Sequence, residues 1–234
     1  MTEQSRELAA RAAVHAALAD PARLMITDAL GAGDASPSEL ATLLGLPSNL
    51  LAHHLAVLEQ AGLVSRRRSE GDRRRTYLRL LPGALDLLGA PGPLTQPPAR
   101  TARRVLFVCT ANSARSHLAA ALWRRASEIP AASAGTRPAA AIDPRAIAAA
   151  GRHHLPLRRL RPRHIDQVRQ DGDLVVTVCD LAREELRGLA AVHWSVPDPV
   201  TAGDPASFDT ALADLGQRVG RLAPRLSAGP GSRP

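Results

Sequence analysis

The chain contains no lysine, only two cysteines, and only five aromatic side chains (two Trp, two Phe and one Tyr) among 234 residues. Each scarcity excludes something. Two sulfurs cannot staple a fold of this size, so a disulfide framework is excluded and reactive thiols in a reducing compartment are expected instead. No run of 18 apolar residues exists, and no basic-then-apolar leader with a small-residue cleavage site opens the chain. Membrane insertion and export are therefore not expected, and a cytoplasmic location is. The net charge of +8 rests entirely on arginine. An all-arginine cation set reads as base composition as readily as nucleic-acid binding, so charge alone decides nothing about partners. What is present suffices for folding: 45% of residues are hydrophobic, and the length is comfortable for two domains.

Ser5 to Ala19 is an Ala-rich helical pattern, and Asp20-Pro21 reads as the N-cap and first position of a second helix ending near Gly31. Ser36-Pro37-Ser38-Glu39 is a capping box that opens a short helix stopped by Gly45. Pro47-Ser48 starts another, with Leu51, Leu55 and Leu58 on one face and Gly62 as its stop. Two short helices across a tight Gly-containing turn make a helix-turn-helix. Residues 63–68, a Glu70-Gly71-Asp72 turn and residues 73–80 then read as a β-hairpin carrying seven arginines between 66 and 79. A hairpin placed there is where a wing meets phosphates.

The wording Ala19-Asp-Pro-Ala-Arg-Leu, followed by Ser48-x4-His53-His54-Leu55-x2-Leu58-x2-Ala61-Gly62-Leu63-Val64, closely resembles the ArsR/SmtB family of winged-helix repressors over roughly residues 8–82. The resemblance implies an α+β winged helix-turn-helix domain over 1–82, double-stranded DNA as partner and a homodimer. It makes Ser48, Asn49 and His53 candidate DNA contacts on the recognition helix, with Arg66, Arg73, Arg74 and Arg75 on the wing. Of His53 and His54, one is expected to pack and the other to be solvated. No cysteine precedes position 109, so a thiolate site for soft metals is excluded here. A His/Asp site using His15 is the remaining alternative, and no metal ligand is assigned. Residues 83–102, rich in Pro and Gly, read as a semi-rigid linker with the possibility of a short helix over Ala84 to Leu88.

The second half is organised around Val105-Leu-Phe-Val-Cys109-Thr-Ala-Asn112-Ser113-Ala-Arg115-Ser116. An apolar run of four ending in Cys109 is the pattern of a central parallel strand. Asn112 and Ser113 supply loop and helix-capping chemistry, and Leu118 to Ala126 is helical. The backbone N–H groups of Thr110, Ala111, Asn112, Ser113, Ala114, Arg115 and Ser116 should then converge with the Arg115 fork on one anion-sized space. Such a field favours a thiolate at Cys109, with Ser116 placed to donate a hydrogen bond to it. A thiolate beside a bound tetrahedral oxyanion is a nucleophile aimed at its central atom.

Downstream, strands are expected at Ala131–Gly135, residues 173–178 and 192–194. Helices are expected from Asp143-Pro144 to Gly151, over Ala182–Leu189 and over Ala206–Leu222. That alternation means an α/β three-layer domain with a parallel sheet over 103–226, followed by a disordered tail, 227–234. The basic run from Arg158 to Arg163 reads as a solvated loop.

The Cys-x5-Arg loop resembles that shared by low-molecular-weight protein tyrosine phosphatases and thioredoxin-coupled arsenate reductases. Val192-His-Trp-Ser-Val-Pro-Asp198-Pro199 resembles the loop that supplies the general acid in both. The wording Val-Val-Thr-Val-Cys179-Asp matches the reductase strand that delivers a second thiol. Cys109, Arg115, Asp198 and Cys179 are thus the candidate catalytic residues. Departures exist: Leu186 stands where those reductases place a third cysteine, Ala120 where they often have a Glu that helps bind potassium, and His117 and Val200-Thr201 where the phosphatases usually have Pro and Tyr. A phosphotyrosine site needs aromatic walls, and aromatics are 2% of the chain. The reading is a DNA-binding regulator fused to a thiol-dependent arsenate reductase. It binds no cofactor and uses a small-molecule thiol or a redoxin as reducing co-substrate. The alternatives are a phosphatase of the tyrosine-phosphatase type and a regulator whose second domain only senses arsenate or phosphate.

Overall fold

In the computed structural model, residues 2–81, 100–155, 157 and 161–228 are described. Two compact units are present. The first contains α1 (Glu3–Leu18), α2 (Pro21–Ala32), α3 (Pro37–Leu44), α4 (Ser48–Gln60) and the antiparallel pair β1 (Val64–Arg68) and β2 (Thr76–Leu80). Local chemistry fixes its boundaries. Asp20 caps α2 through the Ala22 and Arg23 N–H groups, and Ser36 and Glu39 close a reciprocal capping box on α3. Gly45, at φ +64, ends α3 in a left-handed turn that a side chain would strain. Leu51, Leu55 and Leu58 of α4 pack with Ile26, Leu30 and Leu40 in one core, each burial worth about 2–3 kcal/mol.

The hairpin departs from expectation. Arg68 pairs with Thr76, so residues 69–75 form the turn and Arg73, Arg74 and Arg75 lie on it rather than in the second strand. A run of like charges gains little from direct cross-strand pairing, which favours the longer turn.

The second unit is built on a four-stranded parallel sheet: β4 (Arg104–Cys109), β5 (Ala131–Gly135), β6 (Asp173–Thr177) and β7 (Val192–His193), in the order β5-β4-β6-β7. Chain order reverses at β4, whose two neighbours are β5 and β6. The carboxyl end of such a strand is where parallel sheets build their sites. Val105 to Val108 are fully buried. They pack with α5 (Arg115–Ala126), α6 (Pro144–Arg152) and α10 (Pro205–Leu222), whose Phe208, Ala211, Leu212, Leu215 and Val219 recur at helical spacing. Short helices α7 (Ile165–Val168), α8 (Asp180–Glu185) and α9 (Pro199–Ala202) complete the crossovers.

Two further boundaries differ from the sequence reading. The helix expected over Ala182–Leu189 is α8, which starts at Asp180 and stops at Glu185, with Gly188 at φ +79 turning the chain back toward β7. Residues 100–102, read as linker, form β3 (Arg100–Ala102), which pairs in parallel with β8 (Leu226–Ala228), of which 227–228 were read as tail. That closure joins the two ends of the unit, a pairing that no local pattern encodes. The possible helix at Ala84–Leu88, most of the linker, Arg158 and Arg159, and residues 229–234 lie outside the described residues. No single helix among the described residues is long and apolar enough to cross a membrane.

Candidate active site

Cys109 ends β4, and residues 110–114 loop from it into the first turn of α5. The carbonyls of Cys109, Thr110, Ala111 and Ser113 accept hydrogen bonds from the N–H groups of Thr136, Arg137, Ala139 and Asp143, at 2.9–3.2 Å. Because a trans peptide holds its carbonyl and N–H on opposite sides, tying the carbonyls outward turns the N–H groups of Thr110, Ala111, Asn112 and Ala114 inward. One of them shows the result: the Asn112 N–H reaches the Cys109 Sγ at 3.2 Å.

Asn112 braces the loop. It lies at φ 48, in the left-handed region that asparagine tolerates better than most residues. Its Nδ2 donates to the Ser116 Oγ at 2.9 Å, and its Oδ1 accepts the Arg163 N–H at 2.9 Å. Ser116 Oγ lies 3.1 Å from Cys109 Sγ. With Asn112 occupying one acceptor site on the Ser116 oxygen, the hydroxyl proton is free to be donated to the sulfur. The expectation that Asn112 or Ser113 caps α5 is corrected. Ala114 occupies the cap position and no side chain bonds to the helix N-terminus; the His117 N–H is taken by the Ala114 carbonyl at 3.0 Å, which leaves the Arg115 and Ser116 N–H groups for an anion.

Arg115 is nine-tenths buried. Its Nη1 donates to the Val196 carbonyl at 2.9 Å, and its Nη2 pairs with Asp198 Oδ2 at 3.0 Å. Burial works against its charge, but Cys179, Asp198 and Cys109 outweigh that and push its pKa further up. Asp198 also caps α9 through the Val200 N–H, so the Asp-Pro turn is both a cap and a partner of Arg115. Cys179, at the start of α8, meets Thr110 Oγ1 at 3.3 Å. Burial pushes the Cys179 thiol up despite the pull of Arg115, so it rests as a protonated thiol. Both cysteines are free and 2% exposed. The structure thus brings Cys109, Arg115, Asp198 and Cys179 together around one loop.

Three contributors were not singled out as site residues from the sequence. Gly135 ends β5 so close to the loop that an added Cβ would lie 2.6 Å from the Thr110 carbonyl oxygen and 2.9 Å from the Asn112 Cβ. Arg163 contributes only its backbone N–H. His117, buried in the first turn of α5, meets Ser133 Oγ at 3.0 Å through Nδ1, and burial pushes its imidazole down to about 4, so it is neutral at physiological pH. A glycine at a strand end and a histidine in the first turn of a helix were the available signals, but neither carries a role without its distant partner.

In the first unit, Ser48, Asn49 and His53 are exposed along α4, while His54 is buried, as expected of one packed and one solvated histidine. Arg73 and Arg74 are exposed and Arg75 half-buried on the hairpin turn. Arg66 is turned toward Glu59, with which it forms an ion pair. His15 is exposed on α1.

Residues 18–67 match a helix-turn-helix domain family, and residues 104–229 match the family described as low molecular weight phosphotyrosine protein phosphatase. No curated protein matches the chain. Among solved structures, an arsenate reductase from Archaeoglobus fulgidus is 30% identical, with a TM-score of 0.45 over 51% of this chain and 98% of its own. The tyrosine phosphatase Wzb from Escherichia coli K30, in complex with sulphate, is 23% identical, with a TM-score of 0.49 over 54% of this chain and 100% of its own. A YwlE mutant from Bacillus subtilis is 22% identical, with a TM-score of 0.47 over 52% and 96%. A helix-turn-helix domain therefore precedes a domain of the low molecular weight phosphatase type. With more than half of its length matched, the chain belongs to the low molecular weight phosphotyrosine protein phosphatase family.

Proposed function

We propose that this protein is a DNA-binding regulator whose second domain reduces arsenate with two thiols. The observation that carries this reading is the 3.3 Å contact of Cys179 Sγ with Thr110, the residue next to the nucleophile. Ester hydrolysis needs no second sulfur, whereas reduction of an oxyanion does. A Cys109 thiolate attacks the arsenic of a loop-bound arsenate, an As–O bond breaks, and Asp198, having taken a proton from solvent, passes it to the departing oxygen, which leaves as water. Cys179 then attacks the Cys109 sulfur. The S–As electron pair leaves with arsenic as arsenite, the Cys179 proton goes to an arsenite oxygen, and a Cys109–Cys179 disulfide remains. The two electrons gained by arsenic are the two given up by the sulfurs.

A second observation weighs against phosphotyrosine as substrate. All five aromatic side chains of the chain, Tyr77, Phe107, Trp123, Trp194 and Phe208, are at most 1% exposed. None offers a ring face to an aryl phosphate, while a bare tetrahedral anion needs only the loop and Arg115. Leu186, at the position of the third reductase cysteine, packs on the sheet core. The disulfide must therefore be reduced where it forms, by a small-molecule thiol or a redoxin.

Cys179→Ser should lower arsenate reduction about 100-fold or more while leaving any aryl-phosphate hydrolysis near wild type. Arsenate-treated wild type should show the Cys109–Cys179 disulfide by mass spectrometry under non-reducing conditions. Assays of arsenate-dependent thiol consumption and aryl-phosphate hydrolysis, run side by side, read the difference. Normal reduction by the serine variant with a small thiol supplied makes Cys179 structural and removes the internal-disulfide route.

For the first domain, the exposed Ser48, Asn49 and His53 support base contacts, and Arg73, Arg74 and Arg75 support phosphate contacts. Replacing the three arginines with Ala should weaken binding to every DNA sequence. It should also flatten the plot of log affinity against log salt, by about 0.9 in slope for each phosphate the wing no longer neutralises. Ser48 and Asn49 changes should instead alter sequence preference. An unchanged salt slope in the triple variant would sink the wing assignment.

A further inference from the structure

A second buried polar cluster joins the ends of β6 and β7, and the two-thiol reduction does not use it. His193, on β7, is flanked by both neighbours of the strand-to-helix corner that carries Cys179. Its Nδ1 lies 3.0 Å from Thr177 Oγ1 and its Nε2 lies 3.2 Å from Asp180 Oδ1. The side chains of His193 and Asp180 are 1% and 3% exposed. Burial alone would raise the Asp180 pKa, but hydrogen bonds from His193, the Glu70 N–H and Ser195 outweigh it and hold the carboxyl below its usual range. Asp180 is therefore an ionised acceptor, and His193 Nε2 faces it as a donor.

Such a pair is an expensive way to fill space. A buried ion or ion partner costs several kcal/mol in desolvation, and an apolar pair of similar volume would stabilise the fold at least as well. What the pair supplies is direction. Asp180 is the first residue of α8 and follows Cys179, whose extended backbone (φ −157, ψ 152) makes the corner. The Val178 N–H is fixed to the Val108 carbonyl at 2.8 Å, so the strand side of that corner is already held. On the helix side, Asp180 Oδ1 meets His193 Nε2 at 3.2 Å and Oδ2 accepts the Glu70 N–H at 2.8 Å, so the His193 bond is one of those that hold the corner.

We propose that His193 is a positioning residue for Cys179: by holding Asp180 it fixes the first turn of α8 and aims the second thiol at Thr110 and the loop of Cys109. This rests on the reading of Cys179 as the redox partner of Cys109. A sulfur must approach along the line of the bond it breaks or forms, so a shift of about 1 Å in its seat costs about tenfold to 100-fold in rate.

The test uses the reduced full-length chain and a diazene oxidant, which takes two electrons and two protons from two thiols, leaving a disulfide and a hydrazine. Closure of the Cys109–Cys179 bond is followed by acid quench and mass spectrometry in wild type, His193→Phe and His193→Gln. The phenylalanine variant should close about tenfold or more slowly, and the glutamine variant, which keeps an N–H donor for Asp180, within about threefold of wild type. Alkylation of Cys109 by iodoacetamide should be the same in all three. If the phenylalanine variant does not fold, Asp180→Asn, which keeps the shape and weakens the acceptor, takes its place with the same expected slowing. Closure at the wild-type rate without the Nε2 donor overturns the proposal. So do a glutamine variant as slow as phenylalanine, a parallel loss of Cys109 alkylation, and absence of closure in wild type. His193-dependent closure in a protein that does not reduce arsenate leaves this inference standing and removes the reductase reading.

Discussion

Cys109→Ser is expected to abolish turnover of arsenate and of aryl phosphate alike, by about a thousandfold or more, because a serine hydroxyl is not ionised at neutral pH and the thiolate is the attacking species. The geometry sharpens the expectation. Asn112 N–H and Ser116 Oγ both address the Cys109 sulfur, at 3.2 and 3.1 Å, so the loop presents polar groups to the atom at that position. The serine variant keeps those donors and should still bind phosphate, which isothermal titration can check; binding without turnover separates loss of the nucleophile from collapse of the loop. Arg115→Lys should lose about 100-fold, since one ammonium cannot reach the Val196 carbonyl, Asp198 and a bound oxyanion together. Full activity in Cys109→Ser would end the nucleophile assignment.

Gly135→Ala should cost nearly as much, although Gly135 has no functional group. The new methyl would sit 2.6 Å from the Thr110 carbonyl oxygen and 3.0 Å from the Asn112 nitrogen, both backbone atoms that cannot swing aside. Either the loop moves away from β5, breaking the Thr136 and Arg137 bonds that turn its N–H groups inward, or the strand end does. A displacement of about 1 Å is worth about 100-fold in rate, against about 1–3 kcal/mol in stability, so the variant should fold and fail to turn over. Gly220→Ala is the matched control. Gly220 lies in α10 with nothing within 4 Å of an added Cβ, so alanine there should raise stability by about 0.5–1 kcal/mol and leave activity alone. Thermal denaturation with steady-state assays on both variants reads the contrast; wild-type turnover in Gly135→Ala would show that loop and strand end are not coupled.

Wherever a feature is encoded within a few residues, the sequence alone determined it. The capping box of Ser36 and Glu39, the left-handed stop at Gly45, the buried stripe of Leu51, Leu55 and Leu58, and the strand that ends in Cys109 before a helix all follow from side chains three or four positions apart. Cys109, Arg115 and Ser116 are local in the same sense. Local chemistry was ambiguous in the arginine-rich stretch 73–75, which alternates as well in a turn as in a strand, and only the pairing of Arg68 with Thr76 decides. Tertiary structure alone decided how the loop is held. Its carbonyls are tied by Thr136 to Asp143, its Asn112 by Arg163 some fifty positions on, its arginine by Val196 and Asp198, and its second thiol's corner by His193. Each of these partners is an ordinary residue that acts through a backbone group or a single buried bond. Such a bond forms only after the parallel sheet has brought distant segments together, and the closure entropy of that assembly leaves no pattern at either end of the chain segment it joins.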